Sequence, residues 1–183
     1  MKSIIEIIDT YFPKGSEMRN YYFLHVESVT KKALAVCDKN PHLQANRDLV
    51  EAAAMLHDIG ICRVFAPEIG CYGEAPYIQH GILGAEIVRR EGWDDIVPFC
   101  ENHIGAGITK TDIITRHLAL PERDMTPQTI EQQIVAFTDK FFSKSQKDLT
   151  TPKSIEKIRE NLSQYGSDKV AIFNQWCELF GTE

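Results

Sequence analysis

Three observations in the sequence predict an all-α fold. Apolar residues recur at helical spacing, as where Tyr22, Val26 and Val29 fall on one face of a helix. No segment alternates apolar and polar residues in the way that indicates a half-buried strand. Residues that cap or end helices separate the periodic segments. The chain has 183 residues and 43% hydrophobic content, so we expect one domain, residues 1–183, with a sizeable core.

The elements of the first third follow in chain order. Residues 1–12 have Ile at helical intervals with acids between, which indicates an amphipathic helix rather than a signal peptide. Ser16 is placed to cap the next helix, which carries His25. After a polar break, residues 48–56 are strongly helix-forming and mostly apolar. Gly60 then offers the left-handed conformation that ends a helix.

A loop and two helices occupy the middle of the chain. Residues 66–76 are rich in proline and glycine and predict a loop, which we expect near the mouth of a site. Helices are expected over residues 79–90 and 94–103. Thr109 with Asp112 three residues later is similar to a capping box and predicts the start of a further helix.

The last third is predicted to be helical as well. Thr126–Pro127 and Thr151–Pro152 each combine an N-cap residue with a first-turn proline, so each is expected to begin a helix. Residues 168–180 repeat apolar side chains at helical spacing and end at a glycine. We expect this last helix to pack on the domain.

Composition and charge argue against several classes of partner. Lys and Arg number 20 against 26 Asp and Glu, a net charge of −6, which argues against a nucleic-acid polymer as partner. No apolar run approaches the length of a membrane span, so no membrane partner is expected. The five cysteines are odd in number and form no CxxC pair, which indicates free thiols and a cytoplasmic location. The oligomeric state is left open.

The string His57-Asp58-Ile59-Gly60 is the most informative feature of the chain. It follows an apolar helix, so the carboxylate of Asp58 is expected where water is scarce, and an unpaired carboxylate there is costly. A metal ion bound by the adjacent imidazole and carboxylate removes that cost. The alternative is a capped helix end with a His–Asp hydrogen bond, and the dipeptide alone does not choose between the two.

Other residues favour the metal. His25 borders an apolar stripe, His80 opens a helix, His103 ends another, and Asp139 lies among apolar and aromatic residues. One His beside an apolar face is more often a hydrogen-bonded core residue than a ligand. Four such His with two Asp on five helices indicate a shared site, and imidazole with carboxylate suits Mn, Fe, Zn, Co or Ni.

This ordered set resembles the HD-domain superfamily of metal-dependent phosphohydrolases. The family pattern is a His, then His-Asp, then a distant Asp, and it maps onto His25, His57–Asp58 and Asp139, within about residues 20–145. Residues 146–183 would then be C-terminal helices packed on that region. The resemblance implies a helical bundle that uses metal-activated water to hydrolyse a phosphate ester or anhydride of a nucleotide, dinucleotide or similar small molecule.

The resemblance extends to His80 and His103, which could hold a second ion with Asp58 as a bridge. Asp58, His80 and His103 would then be the catalytic residues of a two-metal site. Ile104, however, stands where some two-metal relatives have a second His. With one ion, His80 and His103 would contact the substrate phosphate instead. Whether the site binds one ion or two therefore remains open.

Four further residues are candidates for binding the substrate: Lys140, Lys110, Arg63 and Tyr77. Lys110 follows a glycine-rich segment whose N–H groups could face a phosphate, although a simple connector to the next helix is the alternative. Lys140 follows Asp139, and on a helix it points about 100° away from it, so a phosphate contact and a solvated lysine are equal alternatives. Arg63 and Tyr77 have the same status. A second function class also stays open: a non-catalytic HD module that binds metal or a nucleotide and signals through a partner.

Overall fold

The computed structural model describes residues 2–143 and 149–182. Its helices are α1 Ile4–Tyr11, α2 Glu17–Lys39, α3 Arg47–Leu56, α4 His80–Arg90, α5 Val97–Asn102, α6 Lys110–Thr115, α7 Ile130–Asp139, α8 Ile155–Ser163 and α9 Ser167–Phe180. The strands β1 Phe65–Ala66 and β2 Cys71–Tyr72 form a small antiparallel hairpin. The fold is therefore all-α as predicted, apart from this hairpin inside the expected loop. The boundary expected near residue 145 lies outside the described residues.

One main hydrophobic core joins most of these helices. The α2 helix packs against α3 and α7, and its Tyr22 is buried with its hydroxyl donating to the carbonyl of Met55, 2.7 Å away. A smaller apolar cluster is centred on Ile108, Ile113 and Met125. Fully burying one large apolar side chain contributes about 1.5–3 kcal/mol, so the main core is what fixes α2, α3 and α7 relative to one another. None of the described helices combines the length and apolar composition needed to cross a lipid bilayer.

Two helix caps are confirmed. Ser16 precedes α2, and its side chain accepts a hydrogen bond from the backbone N–H of Arg19. Thr109 and Asp112 form a reciprocal capping box at the start of α6. Asp112 also accepts from Lys169 of α9, so this cap ties the C-terminal helix to the body of the fold.

Two predicted helix starts were wrong by three residues each. The α7 helix begins at Ile130 with Thr129 as its cap, because Met125 pairs with Ile108 through two backbone hydrogen bonds and the chain stays extended after Thr126–Pro127. The α8 helix begins at Ile155 with Ser154 as its cap.

The second start is displaced for a similar reason. The residue after Thr151–Pro152 is Lys153, whose backbone N–H donates to the carbonyl of Phe141, 2.8 Å away. This bond docks the incoming segment on the end of α7 before the helix begins. In both cases a tertiary backbone contact outweighs a local capping signal.

Gly60 serves a different purpose from the one predicted. It lies in a 3-10 turn, Ile59–Arg63, and it is not among the glycines with positive φ. A Cβ at this position would lie 2.0 Å from the carbonyl oxygen of His80 and 2.4 Å from the backbone nitrogen of Gly84. Gly60 is therefore required because α4 packs directly on this turn, which brings His80 towards Asp58.

Candidate metal centre

The six predicted ligands converge at one buried point. They are His25 in the middle of α2, His57 and Asp58 just after α3, His80 at the start of α4, His103 just after α5, and Asp139 at the end of α7. All six side chains are buried. They form two sets that share Asp58, and within each set one ligand atom per residue lies within 4.8 Å of the others.

The first set, which we call the first half, contains His25, His57, Asp58 and Asp139. Nε2 of His25 lies 3.0 Å from Oδ2 of Asp58 and 3.1 Å from Oδ1 of Asp139. Nε2 of His57 lies 3.4 Å and 3.6 Å from the same two oxygens. Two nitrogens and two carboxylate oxygens thus surround one position.

The second set, the second half, uses the other oxygen of Asp58. Oδ1 lies 3.4 Å from Nε2 of His80 and 3.2 Å from Nε2 of His103. The two Nε2 atoms are 3.1 Å apart. Asp58 therefore directs one carboxylate oxygen to each half, which is the arrangement of a bridging ligand.

The backbone fixes the tautomer of three of the four rings. Nδ1 lies 2.8 Å from a backbone carbonyl oxygen in His57, 2.7 Å in His80 and 2.9 Å in His103. A carbonyl oxygen only accepts, so Nδ1 must carry the proton that it donates. Each neutral ring therefore turns the lone pair of Nε2 towards the centre, as a metal ligand requires.

Helix ends supply two of these acceptors. Ala54 lies in the last turn of α3 and accepts from His57, while Cys100 lies in the last turn of α5 and accepts from His103. Carbonyls of the last turn have no intrahelical partner, so a ring just beyond the helix can bind them. The position of each His directly after its helix is what makes this bond available.

The electrostatics of the two halves differ. Burial lowers the pKa of His57, but the neighbouring carboxylates of Asp58 and Asp139 outweigh it and raise that pKa to about 9. Burial lowers the pKa of His103, and the positive charge of His57 lowers it further. Without a metal, a proton on His57 balances the buried carboxylates while His103 stays neutral.

The donor set fits a divalent cation. Nε2 of His25 and of His57 are buried and make no hydrogen bond of good geometry with the described residues. When both rings are neutral, the facing Nε2 lone pairs of His80 and His103 repel each other unless a cation lies between or beside them. Nδ1 of His57 binds the carbonyl of Ala54, so the contact of His57 with Asp58, 3.4 Å away, is made through Nε2.

Lys140 lies much closer to the centre than helix geometry predicted. Its Nζ is 2.7 Å from Oδ2 of Asp139 and donates to the carbonyl of His103, 3.2 Å away. The backbone of Lys140 is still helical, with φ −60° and ψ −28°, so it is the long side chain that brings Nζ back to Asp139. Lys140 thus adds a positive charge on the outer side of the first half.

Two cavities adjoin the centre. The first, about 390 Å³, is lined by Asp139 and Lys140 together with Glu68 and Ile69 from the 66–76 loop. That loop therefore lies at the mouth of the site, as expected. The second cavity, about 290 Å³, is lined by His80 and mostly apolar residues.

Of the other three candidates for substrate binding, one lines the cavities and two do not. Tyr77 lines both cavities. Arg63 lines neither, and its guanidinium pairs with Glu86 at 3.1 Å. Lys110 is exposed, lines neither cavity, and donates its backbone N–H to Asp124.

Sequence reasoning missed six cavity residues that come from the C-terminal part of the chain: Lys153, Ile158, Asn161, Leu162, Tyr165 and Lys169. They belong to α8, α9 and the segments beside them. No motif in the sequence marks them, because only the packing of these helices on the body of the fold brings them to the centre.

The chain is similar to longer curated proteins. It is 35% identical over 170 residues to a tRNA (cytidine(56)-2'-O)-methyltransferase of Thermoplasma volcanium, covering 92% of this chain and 45% of that protein. A protein of the same name from Picrophilus torridus is 41% identical over 120 residues, 65% of this chain and 30% of its own length. An uncharacterised protein of Methanocaldococcus jannaschii is 40% identical over 107 residues, 58% of this chain and 56% of its own. The chain thus spans only part of each relative.

Solved structures share the fold. The HD domain of the L. monocytogenes phosphodiesterase PgpH covers 96% of this chain and 95% of its own, with a TM-score of 0.55 and 17% identity. Its complex with cyclic-di-AMP gives a TM-score of 0.54 at the same identity, covering 98% of both chains. The family model of the HD domain matches residues 22–143, which include all six converging side chains. The chain therefore belongs to the HD domain family.

Proposed function

We propose that this protein is a metal-dependent phosphohydrolase acting on a nucleotide or a similar small phosphate ester or anhydride. The observation that carries the proposal is the position of Asp58, whose two oxygens face His25 and His57 on one side and His80 and His103 on the other. A buried carboxylate shared between two pairs of imidazoles is suited to two divalent transition-metal ions.

The chain's own residues have distinct roles in this proposal. A bound divalent ion would supply water activation and charge neutralisation of the phosphate. Asp58, with His80 and His103, holds the second half in a geometry that the backbone carbonyls fix in advance. Lys140 places an ammonium group on the wall of the first cavity, where it can bind a phosphate oxygen. We retain one ion, with His80 and His103 contacting the phosphate, as the competing arrangement.

A nucleotide is the preferred substrate class. One structural neighbour, the PgpH HD domain, was solved in complex with cyclic-di-AMP, and cavity residues of this chain combine lysines with aromatic rings. The methyltransferase name belongs to relatives of which this chain matches 45% and 30%. Arg63 and Lys110 remain weaker candidates for substrate contact. The five cysteines are all free, which supports a reducing cytoplasm.

The test is phosphate-bond cleavage with a panel of nucleoside mono-, di- and triphosphates and cyclic dinucleotides, using Mn²⁺-loaded protein and metal-stripped protein. We expect at least one compound to be hydrolysed only by the loaded protein, and Asp58→Ala to abolish that turnover. Metal binding without turnover of any compound would contradict the proposal and favour a non-catalytic HD module.

A further inference from the structure

The two cavities meet at a common border. Both are lined by Tyr77, Gly105, Leu162 and Tyr165. The first cavity reaches Asp139 and Lys140, and the second reaches His80 on the other side of the centre. A compound with two chemically different parts can therefore place one part in each cavity.

The second cavity has apolar walls. Ile78, Ile104, Ile108 and Leu118 line it, and they belong to the smaller apolar cluster or pack against it. These apolar side chains offer a phosphate group no polar partner, and burying a charge without one is costly. The part of the substrate that enters this cavity is therefore apolar over most of its surface.

Polar side chains interrupt the apolar wall: the pair of Lys169 and Asp112, together with Arg116 and His80. Lys169 is 4% exposed, and its Nζ lies 2.6 Å from Oδ2 of Asp112. Asp112 also accepts hydrogen bonds from Thr109. A cavity with apolar walls and a fixed cation and carboxylate at one side suits a flat heterocycle, which has apolar faces and a polar edge.

Tyr165 offers an exposed ring at the border of the two cavities. Its side chain is 56% exposed, and the guanidinium carbon of Arg116 lies 5.3 Å from the ring centroid. Nη2 of Arg116 also donates to the carbonyl of Tyr165 at 2.5 Å. Arg116 therefore holds Tyr165 in place, so its ring is available for stacking at little cost in side-chain entropy.

We propose that the second cavity binds an aromatic heterocycle attached to the phosphate, and that Leu162, Tyr165 and Lys169 determine which compounds bind. This inference rests on the proposed function only in placing the phosphate at the metal centre. These three residues lie outside the segment 22–143 that matches the family model. Selectivity for the ring is thus supplied by the C-terminal helices of this chain.

Equilibrium binding to Mn²⁺-loaded protein tests the inference without requiring turnover. The probes are the four ribonucleoside 5'-monophosphates and ribose 5-phosphate, measured by titration calorimetry. We expect at least one nucleotide to bind about tenfold or more tightly than ribose 5-phosphate, because base stacking on an aromatic side chain adds affinity. Tyr165→Ala should weaken that nucleotide about tenfold and leave ribose 5-phosphate unchanged, and Tyr165→Phe should restore it.

A second variant fills the cavity instead of removing the ring. Leu118→Trp should abolish the preference for the nucleotide, whereas Ile114→Trp, on the exposed side of α6, should not. Tyr72→Ala removes an exposed aromatic ring that lines neither cavity and is the matched control for Tyr165→Ala. Equal affinity for all five probes, or a nucleotide preference unaffected by both Tyr165→Ala and Leu118→Trp, would overturn the inference.

Failure of this inference is distinguishable from failure of the proposed function. Hydrolysis without preference for a ring would leave the phosphohydrolase standing and reject the heterocycle cavity. Ring-dependent binding without hydrolysis would support the heterocycle cavity and reject the phosphohydrolase.

Discussion

The two halves of the metal centre share Asp58 but differ in how the fold supports them. The first half stands on α2, α3 and α7, which pack together in the main core, and Lys140 adds a cation beside Asp139. The second half stands on α4 and α5 and opens towards the second cavity. The pKa of His57 in the first half is raised to about 9, whereas the pKa of His103 in the second half is lowered.

The two halves differ in how their buried polar groups are balanced. The first half carries both carboxylates' negative charge and is balanced by a protonated His57 and by Lys140. In the second half, Nε2 of His80 and Nε2 of His103 face each other at 3.1 Å beside Oδ1 of Asp58. The first half therefore has protein cations beside its carboxylates, and the second half is a cluster of nitrogen and oxygen donors that a cation would hold together.

The largest effect is expected from Asp58→Ala, which removes the residue that the halves share. Both ions should be lost and hydrolysis should fall by about a hundredfold or more, because neither half keeps enough ligands. Metal analysis of the purified variant checks the loss, with circular dichroism to verify folding. Asp38→Ala, which removes an exposed carboxylate on α2, should retain both ions. Undiminished metal in Asp58→Ala would show that the halves are not joined through this residue.

Replacing a ligand that belongs to the second half alone tests whether the two halves bind separate ions. His103→Ala should reduce the content from about two ions to about one and lower turnover about a hundredfold, since the four ligands of the first half remain. Anomalous scattering from crystals soaked in Mn²⁺ would show which position is empty. A single peak in the unaltered protein, away from His80 and His103, would instead establish the one-ion arrangement.

Removal of metal tests whether the buried ligands depend on it for stability. An ion present at about a hundred times its dissociation constant stabilises the folded state by about 2.7 kcal/mol. Chelation should therefore lower the melting temperature by roughly 5–10 °C in a chain of this size. The shift should be much smaller in Asp58→Ala. An equal shift in both proteins would mean that the ion acts elsewhere.

Lys140→Met removes the ammonium group that lies beside Asp139 in the first half. Loss of a charge-assisted hydrogen bond should weaken binding of a phosphate substrate about tenfold, seen as a higher KM, while metal content stays constant. Lys140→Arg should recover much of the affinity. Lys110→Met should have little effect because Lys110 is exposed and lines neither cavity. Equal effects at both positions would assign Lys140 no special role.

The smallest effect concerns the link between α9 and the second cavity. Burial raises the pKa of Asp112, but Lys169 and Thr109 outweigh it and lower that pKa to about 2. A carboxylate with a depressed folded-state pKa stabilises the protein above its unfolded value and loses this contribution as the pH falls from about 4 to about 2. Solvent screening limits the effect to about 1 kcal/mol.

Chemical denaturation at pH 5 and pH 2.5 measures this contribution. The unaltered protein should lose about 1 kcal/mol more stability across that interval than Asp112→Asn. Asp95→Asn, at an exposed acid for which the structure shows no ion pair among the described residues, is the control. An identical loss in Asp112→Asn would mean that Lys169 does not stabilise the carboxylate.

The sequence by itself was sufficient for the helical fold and for naming the six side chains that converge at the centre. Hydrophobic periodicity indicates which face of a helix is buried. The order His25, His57–Asp58 and Asp139 is a pattern of residue types that can be read directly from the sequence. The caps at Ser16 and Thr109 were also correct, because a capping side chain bonds within its own turn.

Other features depended on contacts between distant segments. Both proline-marked helix starts were displaced by backbone pairing with residues elsewhere in the chain. The long side chain of Lys140 reaches Asp139 and the backbone carbonyl of His103, which lies on another element. Gly60 was correctly singled out for the wrong reason, since the restriction comes from α4 pressing on it and not from a left-handed backbone.

The sequence thus determined which groups are available, and the tertiary structure decided how they face one another. Imidazole and carboxylate are ligands by their chemistry, wherever they lie. The direction of each Nε2, the division of Asp58 between two halves and the arrival of Tyr165 at the cavity border depend on helix ends and packing angles. Those are set by long-range burial of apolar surface, which no local pattern encodes.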